Sequence, residues 1–331
     1  MNFSSIKTAK NHGRQDILFG LARIPNTNKA FVGGSDFKIH EIDFDQPKPE
    51  LRAFGGHSSY ITSLLLADGA LISAGYDGKM IWWNVATGEK IRSIDAHKKW
   101  IRRILLSPDG KWIASVADDM AVRLWNSQGK LIREMTNEHK PLTPTNFQSM
   151  LYASAFSPDG KYLATADKTG HIVVWETASG KKVVTMEAPI MYTWDPTARR
   201  HSIGGIRSLA FSPDGKHLAV GGTGKIGNVD HLEANARIEV FMWEKAERTA
   251  ELVSDKHKGL VEHLEYHPTE GWLLGAGGAG EGFLIFMDTK EKKFLHQEKV
   301  PMNIHALASG NALKSLMVVG HQRMVLFQME G

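Results

Sequence analysis

The stretch Ser107-Pro108-Asp109-Gly110-Lys111 recurs as Ser157-Pro158-Asp159-Gly160-Lys161 and again as Ser212-Pro213-Asp214-Gly215-Lys216. Each copy stands between two runs in which apolar and polar residues alternate, so each reads as a tight turn joining two antiparallel strands. Proline sets φ at about −65° in the second turn position, and glycine takes the positive φ that follows. A second series marks the strand after each turn: Ile81-Trp82-Trp83-Asn84, Arg123-Leu124-Trp125-Asn126 and Val173-Val174-Trp175-Glu176. Weaker copies carry Phe241, Phe286 and Phe327 at the aromatic position, and from Trp83 onward these positions step by 42, 50, 66, 45 and 41 residues. A third series places histidine ahead of a unit, in Gly56-His57, Ala96-His97, Glu138-His139 and Lys256-His257. Self-similarity at one fixed period is the signature of a repeat architecture.

Taken together, the Gly-His start, the Ser-Pro-Asp-Gly turn and the Trp-Asn end resemble the WD40 repeat. The turns and the run from Glu176 to Lys182 resemble bacterial members more than eukaryotic ones. The resemblance implies an all-β fold, a seven-bladed WD40 β-propeller. Three-strand cores are expected at about 16–45, 60–86, 100–127, 150–177, 203–244, 260–288 and 302–329. The last core lacks its outer strand, and the segment 3–9 is expected to supply it and close the ring, because an open ring would leave an exposed strand edge. The whole chain, 1–331, is then a single domain without a linker.

In this family a buried hydrogen-bond chain links the entry-loop His, a Ser or Thr on the second strand, an Asp in the following turn and the Trp on the third strand. The matching residues are His57, Ser73, Asp77 and Trp83 in one blade, and His97, Ser115, Asp119 and Trp125 in the next. In the fourth, Thr165 and Trp175 match, and Thr169 stands where Asp is expected. An Asp, a His and a Ser also make a catalytic triad. A serine inside a strand, with no loop or helix N-terminus to steady an oxyanion, reads instead as part of a structural network.

Composition narrows the function. The 331 residues are twice the usual domain length, which admits two domains or one large toroid. Hydrophobic residues make up 42%, too many for a disordered chain. Forty basic against 36 acidic side chains leave +4, a weak argument for nucleic acid or membrane as partner. With no cysteine, the chain has no disulfide, no thiol nucleophile and no Cys-ligated metal. The first residues show no apolar core or cleavage pattern, and no apolar run nears the roughly 18–20 residues of a membrane span. A cytoplasmic protein is expected.

No metal site or cofactor is expected either. His263, Glu265 and His267 alternate on one strand, but His267 takes the place of the Ser in a Ser-Pro turn. The run from Gly275 to Gly280 enters no helix, so it reads as a strand of small residues rather than a phosphate loop.

The surplus length collects around blades 4 and 5, in three insertions: 136–149, 187–204 and 223–236. The first two are loops entering a blade and the third joins its second and third strands. In a four-stranded meander such loops emerge on one face. They carry Phe147, Tyr192, Trp194, Asp195, Arg199, Arg200 and His231, among them the aromatic and arginine types that dominate binding surfaces. Positions that commonly border the central channel in the family are Tyr60, Thr62, Trp100, Arg102, Tyr152, Arg207 and Glu262. The opposite face bears short turns that look purely structural.

The expectation is therefore a non-enzymatic scaffold for a protein or peptide partner, free or as a subunit of a larger complex. The alternative is a propeller enzyme, hydrolase- or lactonase-like, or a metal or small-ligand binder. Its site would lie in the same loops or the channel, with Asp195, His201, Asp230, His231 and Glu233 as the candidate acid–base groups. Nucleic-acid binding through Lys140, Lys225 and Arg199-Arg200 is the third reading, disfavoured by the acidic residues among them.

Overall fold

The computed structural model describes residue 3 and residues 6–195, 201–227, 234–310 and 313–329. The strands begin with β1 (Ile6–Arg23), β2 (Lys29–Gly34), β3 (Lys38–Asp43), β4 (Glu50–Gly55), β5 (Ile61–Ala67), β6 (Ala70–Gly75), β7 (Lys79–Asn84), β8 (Lys90–Asp95) and β9 (Ile101–Leu106). Next come β10 (Ile113–Ala117), β11 (Val122–Trp125), β12 (Leu131–Met135), β13 (Leu151–Phe156), β14 (Tyr162–Asp167), β15 (His171–Glu176), β16 (Lys182–Glu187), β17 (Tyr192–Asp195) and β18 (His201–Gly204). The series ends with β19 (Ser208–Phe211), β20 (His217–Thr223), β21 (Asn235–Met242), β22 (Glu247–Lys258), β23 (Leu260–Tyr266), β24 (Trp272–Ala279), β25 (Glu281–Asp288), β26 (Lys293–Val300), β27 (Ile304–Ser309) and β28 (Ser315–Met329). Among the described residues no helix is long and apolar enough to cross a membrane.

The chain is all-β, and its sheets are the antiparallel meanders of a β-propeller. Among the described residues there are six sheets of four or six strands and one two-stranded hairpin, β17-β18. Seven separate blades were expected, and the count is corrected to six. The reason lies in β1, an 18-residue strand. Its first part pairs with β28, from Ile6 opposite Met329 to Ile17 opposite His321. Its second part pairs with β2, from Leu18 opposite Gly34 to Arg23 opposite Ala30. No proline and no positive φ interrupts residues 6–23, so the backbone runs on extended. The sheets expected at the two ends of the chain become one, in the order β27-β28-β1-β2-β3-β4. Of the segment 3–9, expected to act as an outer strand, residues 6–9 do lie along β28, as the start of this longer strand. The other sheets are separate ladders, so hydrogen bonding does not close the whole set.

The chain forms two compact units, Met1–Leu106 with Ile304–Gly331, and Ser107–Asn303. In the first unit, Leu18, Val32, Ile42 and Phe44 pack with Met317, Val319, Met324 and Leu326. A second cluster joins Phe31, Ile39, Ile61, Leu71, Ile81 and Trp83. In the second unit, one cluster gathers Ile172, Val174, Met191, Ile206, Val220 and Trp243, and another Ile238, Val240, Val261, Leu273 and Ile285. The middle strands are buried almost throughout, as in β6 and β10, while outer strands such as β8 are mostly exposed. A strand covered on both faces reads as a continuous apolar run, and that is the composition of the middle strands.

The repeated turns form as expected. Ser107 Oγ donates to Asp109 Oδ1 at 2.7 Å and accepts the Trp112 N–H at 2.9 Å, and Gly110 has φ +73°. The Ser157 and Ser212 copies repeat this pattern. The Ser107 hydroxyl and Lys111 hold the Asp109 carboxyl down at about 2.

The glycines from Gly275 to Gly278 lie inside β24, paired with β25 along its length. A Cβ on Gly277 would stand 1.8 Å from Leu260 O, so the small residue is what lets β23 approach. Gly277→Ala should therefore destabilise by about 1–3 kcal/mol, as overpacking does. Gly13→Ala, where an added Cβ meets nothing within 4 Å, should change stability far less. Urea unfolding of the two variants makes the comparison.

Candidate functional site

The structural network is present in the second blade as matched. Trp83 Nε1 donates to Ser73 Oγ at 2.8 Å, Ser73 meets His57 Nε2 at 2.7 Å, and His57 Nδ1 meets Asp77 Oδ2 at 2.9 Å. Ser73 is fully buried, so no substrate can reach it as a nucleophile. In the next blade Trp125 Nε1 donates to Ser115 Oγ at 2.9 Å, and Asp119 pairs with Arg123 at 3.0 Å. His97 is buried in the first unit and donates its own N–H to Gly78 O.

The fourth blade departs from the sequence reading. Thr169 does not act in place of the aspartate; Asp167, two residues earlier, does. His139 Nδ1 lies 2.8 Å from Asp167 Oδ2, His139 Nε2 lies 2.8 Å from Thr165 Oγ1, and Trp175 Nε1 donates to Thr165 at 2.8 Å. Asp167 Oδ1 also accepts the Thr169 N–H and O–H, which explains the threonine. Counting four residues from Thr165, as from Ser73 to Asp77, missed it. Here the carboxylate sits at the end of β14 instead of in the turn. Among the described residues of the fifth blade, polar burial takes another form: Glu239, fully buried, pairs with Arg237 at 2.7 Å and Arg248 at 3.2 Å.

The three insertions, all in the second unit, pack on one another. The Phe147 and Trp194 rings stand 4.7 Å apart. Thr145 Oγ1 and Tyr192 Oη are hydrogen-bonded at 3.0 Å, and Ile226 N–H donates to Thr193 Oγ1 at 2.9 Å. Beneath them Met191 is fully buried against Ile206 and Val220. Phe147, Tyr192, Trp194 and Asp195 are half-buried, each packed yet accessible. Arg199, Arg200 and His231 lie outside the described residues, as do Asp230 and Glu233 of the acid–base alternative; His201 is paired through its backbone with Asp195.

The channel-border residues fall into two sets. In the first unit, Tyr60 and Trp100 are joined by a residue the sequence reading missed, Tyr76. Tyr76 stacks on Trp100 at 4.2 Å with 6° between planes, and Tyr60 lies 5.7 Å from Tyr76. Arg102 sits over both rings, at 5.0 and 5.2 Å, and donates to Tyr76 Oη at 2.6 Å. Phe37 and Phe19 extend the row, at 5.7 and 5.8 Å from Tyr60. Trp100 is 46% exposed and Tyr60 39%. Phe37 and Tyr76 both occupy turns between a blade's second and third strands. The topological argument used for the insertions would have placed them here. Thr62 instead ties strands, donating to Ile101 O at 2.7 Å. In the second unit, Arg207 lies over the Tyr152 ring at 3.6 Å.

His263 and Glu265 do share a face, 3.4 Å apart, but His267 turns away into the following turn and does not join them. Asp16, Asp36 and His40 converge within 4.8 Å, and the Arg14 guanidinium lies among them, 2.9 Å from Asp16 and 3.2 Å from His40.

Comparison with known proteins agrees with this geometry. The family "WD domain, G-beta repeat" matches residues 48–84, 88–126, 143–176 and 195–226. The chain belongs to the WD40-repeat family. It is 31% identical to the nuclear distribution protein PAC1-2 of Uncinocarpus reesii, over 45% of this chain and 32% of that protein. It is 30% identical to apoptotic protease-activating factor 1 of Homo sapiens, over 53% of this chain and 13% of that protein. With the protein HIR1 of Mycosarcoma maydis it shares 27% identity, over 44% of this chain and 14% of the other. The chain spans less than half the length of each of these relatives.

Asp167→Ala leaves the His139 Nδ1–H unpaired in the core and should cost about 1–3 kcal/mol in urea unfolding, whereas Thr169→Ala should cost less. Burial holds the His139 pKa below the usual imidazole value in spite of Asp167. A depressed histidine favours the neutral ring in the folded state. Its contribution is therefore complete above the unfolded value of about 6.5 and is lost as pH falls through the folded one. Although burial acts to raise it, the Asp167 carboxyl is held below its ordinary value by His139 and Thr169, which adds a further loss below about 4. Urea midpoints should thus fall between about pH 7.5 and 5.5 in the wild type and be flatter in His139→Gln.

Proposed function

We propose that the chain is a non-enzymatic scaffold that binds a protein or peptide through the loops inserted around blades 4 and 5. The carrying observation is that three insertions distant in sequence fold into one unit through Phe147–Trp194, Thr145–Tyr192 and Thr193–Ile226. Loops braced on a rigid sheet lose little freedom on binding, and half-buried aromatic rings are the residue type that anchors a partner. Arg199, Arg200 and His231 belong to the same insertions by sequence and are proposed as contact residues with them. Asp195, at the end of β17, is included with them.

The row Tyr60, Tyr76, Trp100 and Arg102, and the Tyr152–Arg207 pair, are proposed as further contact points. Stacked rings with a guanidinium already seated suit a peptide that offers backbone or acidic groups. The relatives named above support a protein partner in kind: one is a nuclear distribution protein, another a protease-activating factor. A partner that is neither nucleic acid nor membrane, and a reducing cytoplasmic setting, fit a near-neutral chain without cysteine. We take all its blades to form one domain.

Affinity capture from native lysate tests this reading with three tagged forms: wild type, Phe147→Ala/Trp194→Ala and Trp100→Ala/Arg102→Glu. Proteins captured by the wild type should be lost with the first variant and reduced with the second, while circular dichroism shows both folded. Equal capture by all three would place the partner elsewhere.

A further inference from the structure

Half-buried arginines in this protein are supplied with acceptors, and Arg207 departs from that pattern. Arg14 meets Asp16 and Glu50, Arg52 meets Glu41, and Arg123 meets Asp119 and Glu134. Arg23 donates to the Thr27 carbonyl, and Arg133 to those of Ala178 and Ser179. Arg207 is half-buried too, yet the guanidinium meets only the Tyr152 ring, whose centre is 3.6 Å from its carbon. Its Nε is buried and has no acceptor. Among the described residues no carboxylate pairs with it, and Glu262, expected on the same border, is engaged elsewhere.

The place of the pair in the chain gives the departure its meaning. Tyr152 stands three residues past the first insertion, and Arg207 three residues past the second. The Arg207 N–H donates at 2.8 Å to the carbonyl of Gly221, which lies on β20 two residues ahead of the third insertion. The backbone leading to it is fixed as well: Gly205 N–H donates to Met191 O at 2.6 Å, and Ile206 is fully buried. Tyr152 donates its hydroxyl to Met150 Sδ at 2.7 Å. The guanidinium thus sits at the foot of all three insertions, within the second unit, on a ring and a backbone that are already held.

A guanidinium drawn out of water without an acceptor is costly, and a ring face compensates it less than a carboxylate does. The ring covers one face of the guanidinium and leaves its in-plane N–H fork, which fits the two oxygens of one carboxylate. We infer that Arg207 takes an aspartate or glutamate side chain of the bound peptide, so that the loop surface selects partners with an acidic residue at that point. The inference rests on the reading of the insertions as a peptide-binding surface. A phosphate dianion calls for a cluster of arginines, whereas Arg207 offers a single fork.

A library of random, C-terminally amidated peptides is the probe, selected on the wild type, with the retained sequences titrated by fluorescence anisotropy. The same peptides are titrated against Arg207→Gln, Arg207→Lys and Phe147→Ala/Trp194→Ala, each checked for folding by thermal unfolding. The retained peptides should share an Asp or Glu at one position. Changing that acid to its amide should weaken binding to the wild type about tenfold or more, the loss of a hydrogen bond to a charged group. The same change should matter little against Arg207→Gln, and Arg207→Lys, which keeps the charge without the fork, should recover only part of the affinity. Peptides that need Phe147 and Trp194 but share no acid would overturn this inference and leave the loop surface standing. So would an amide change that costs the wild type and Arg207→Gln equally. A phosphoserine in place of the acid that binds more tightly by tenfold would overturn the choice of a carboxylate. Acid-dependent binding that needs Arg207 but not Phe147 and Trp194 would support the arginine and count against the loops. No retained peptide at all would overturn both.

Discussion

A polar tie crosses the interior of the second and fourth blades and holds the strands on either side of it. In the fourth blade it runs from Trp175 on β15 through Thr165 on β14 to His139 in the entering loop, and ends on Asp167. Each step satisfies a group that burial would otherwise leave unpaired, so the tie holds two strands and a loop in one relative position. Position fixed in this way is what a repeat fold needs. Apolar contacts alone would tolerate sliding of one strand past another, whereas a directional chain of donors and acceptors does not.

Once the sheets are rigid, variation is confined to what joins them. The insertions of blades 4 and 5 lie over buried anchors such as Met191, and their aromatic side chains are packed without being hidden. On the turns of the Ser-Pro series the same logic operates in reverse. Three copies close on themselves through a serine, and in the fourth a buried histidine takes its place and accepts two backbone N–H groups. Departures from a repeat are informative because the regular copies show what the turn requires for stability alone.

Legibility in the sequence followed the range of the interactions. The Ser-Pro-Asp-Gly turns, the buried Trp83, Trp125 and Trp175 and the glycine strand around Gly277 were readable, because each depends on residues close along the chain. Asp167 was not, since Thr165 finds its histidine's partner two residues away where Ser73 finds it four away, and both spacings put a carboxylate in reach. The continuity of β1 was missed for a related reason: nothing in residues 6–23 marks a break, and only pairing with β28 on one side and β2 on the other reveals that one strand serves both.

The sequence by itself determined the all-β class, the period, the turn chemistry and most of the polar tie, for these rest on local backbone preference and on the alternation of burial. Tertiary structure alone decided that the described strands form six blade sheets where seven blades were expected, that Phe147 meets Trp194, and that Tyr76 bridges toward Tyr60 and Trp100. Phe147 and Trp194, like β28 and β2 on either side of β1, come from segments whose spacing along the chain carries no period. Such contacts are set by how whole sheets pack, a property of many residues at once that no short stretch encodes.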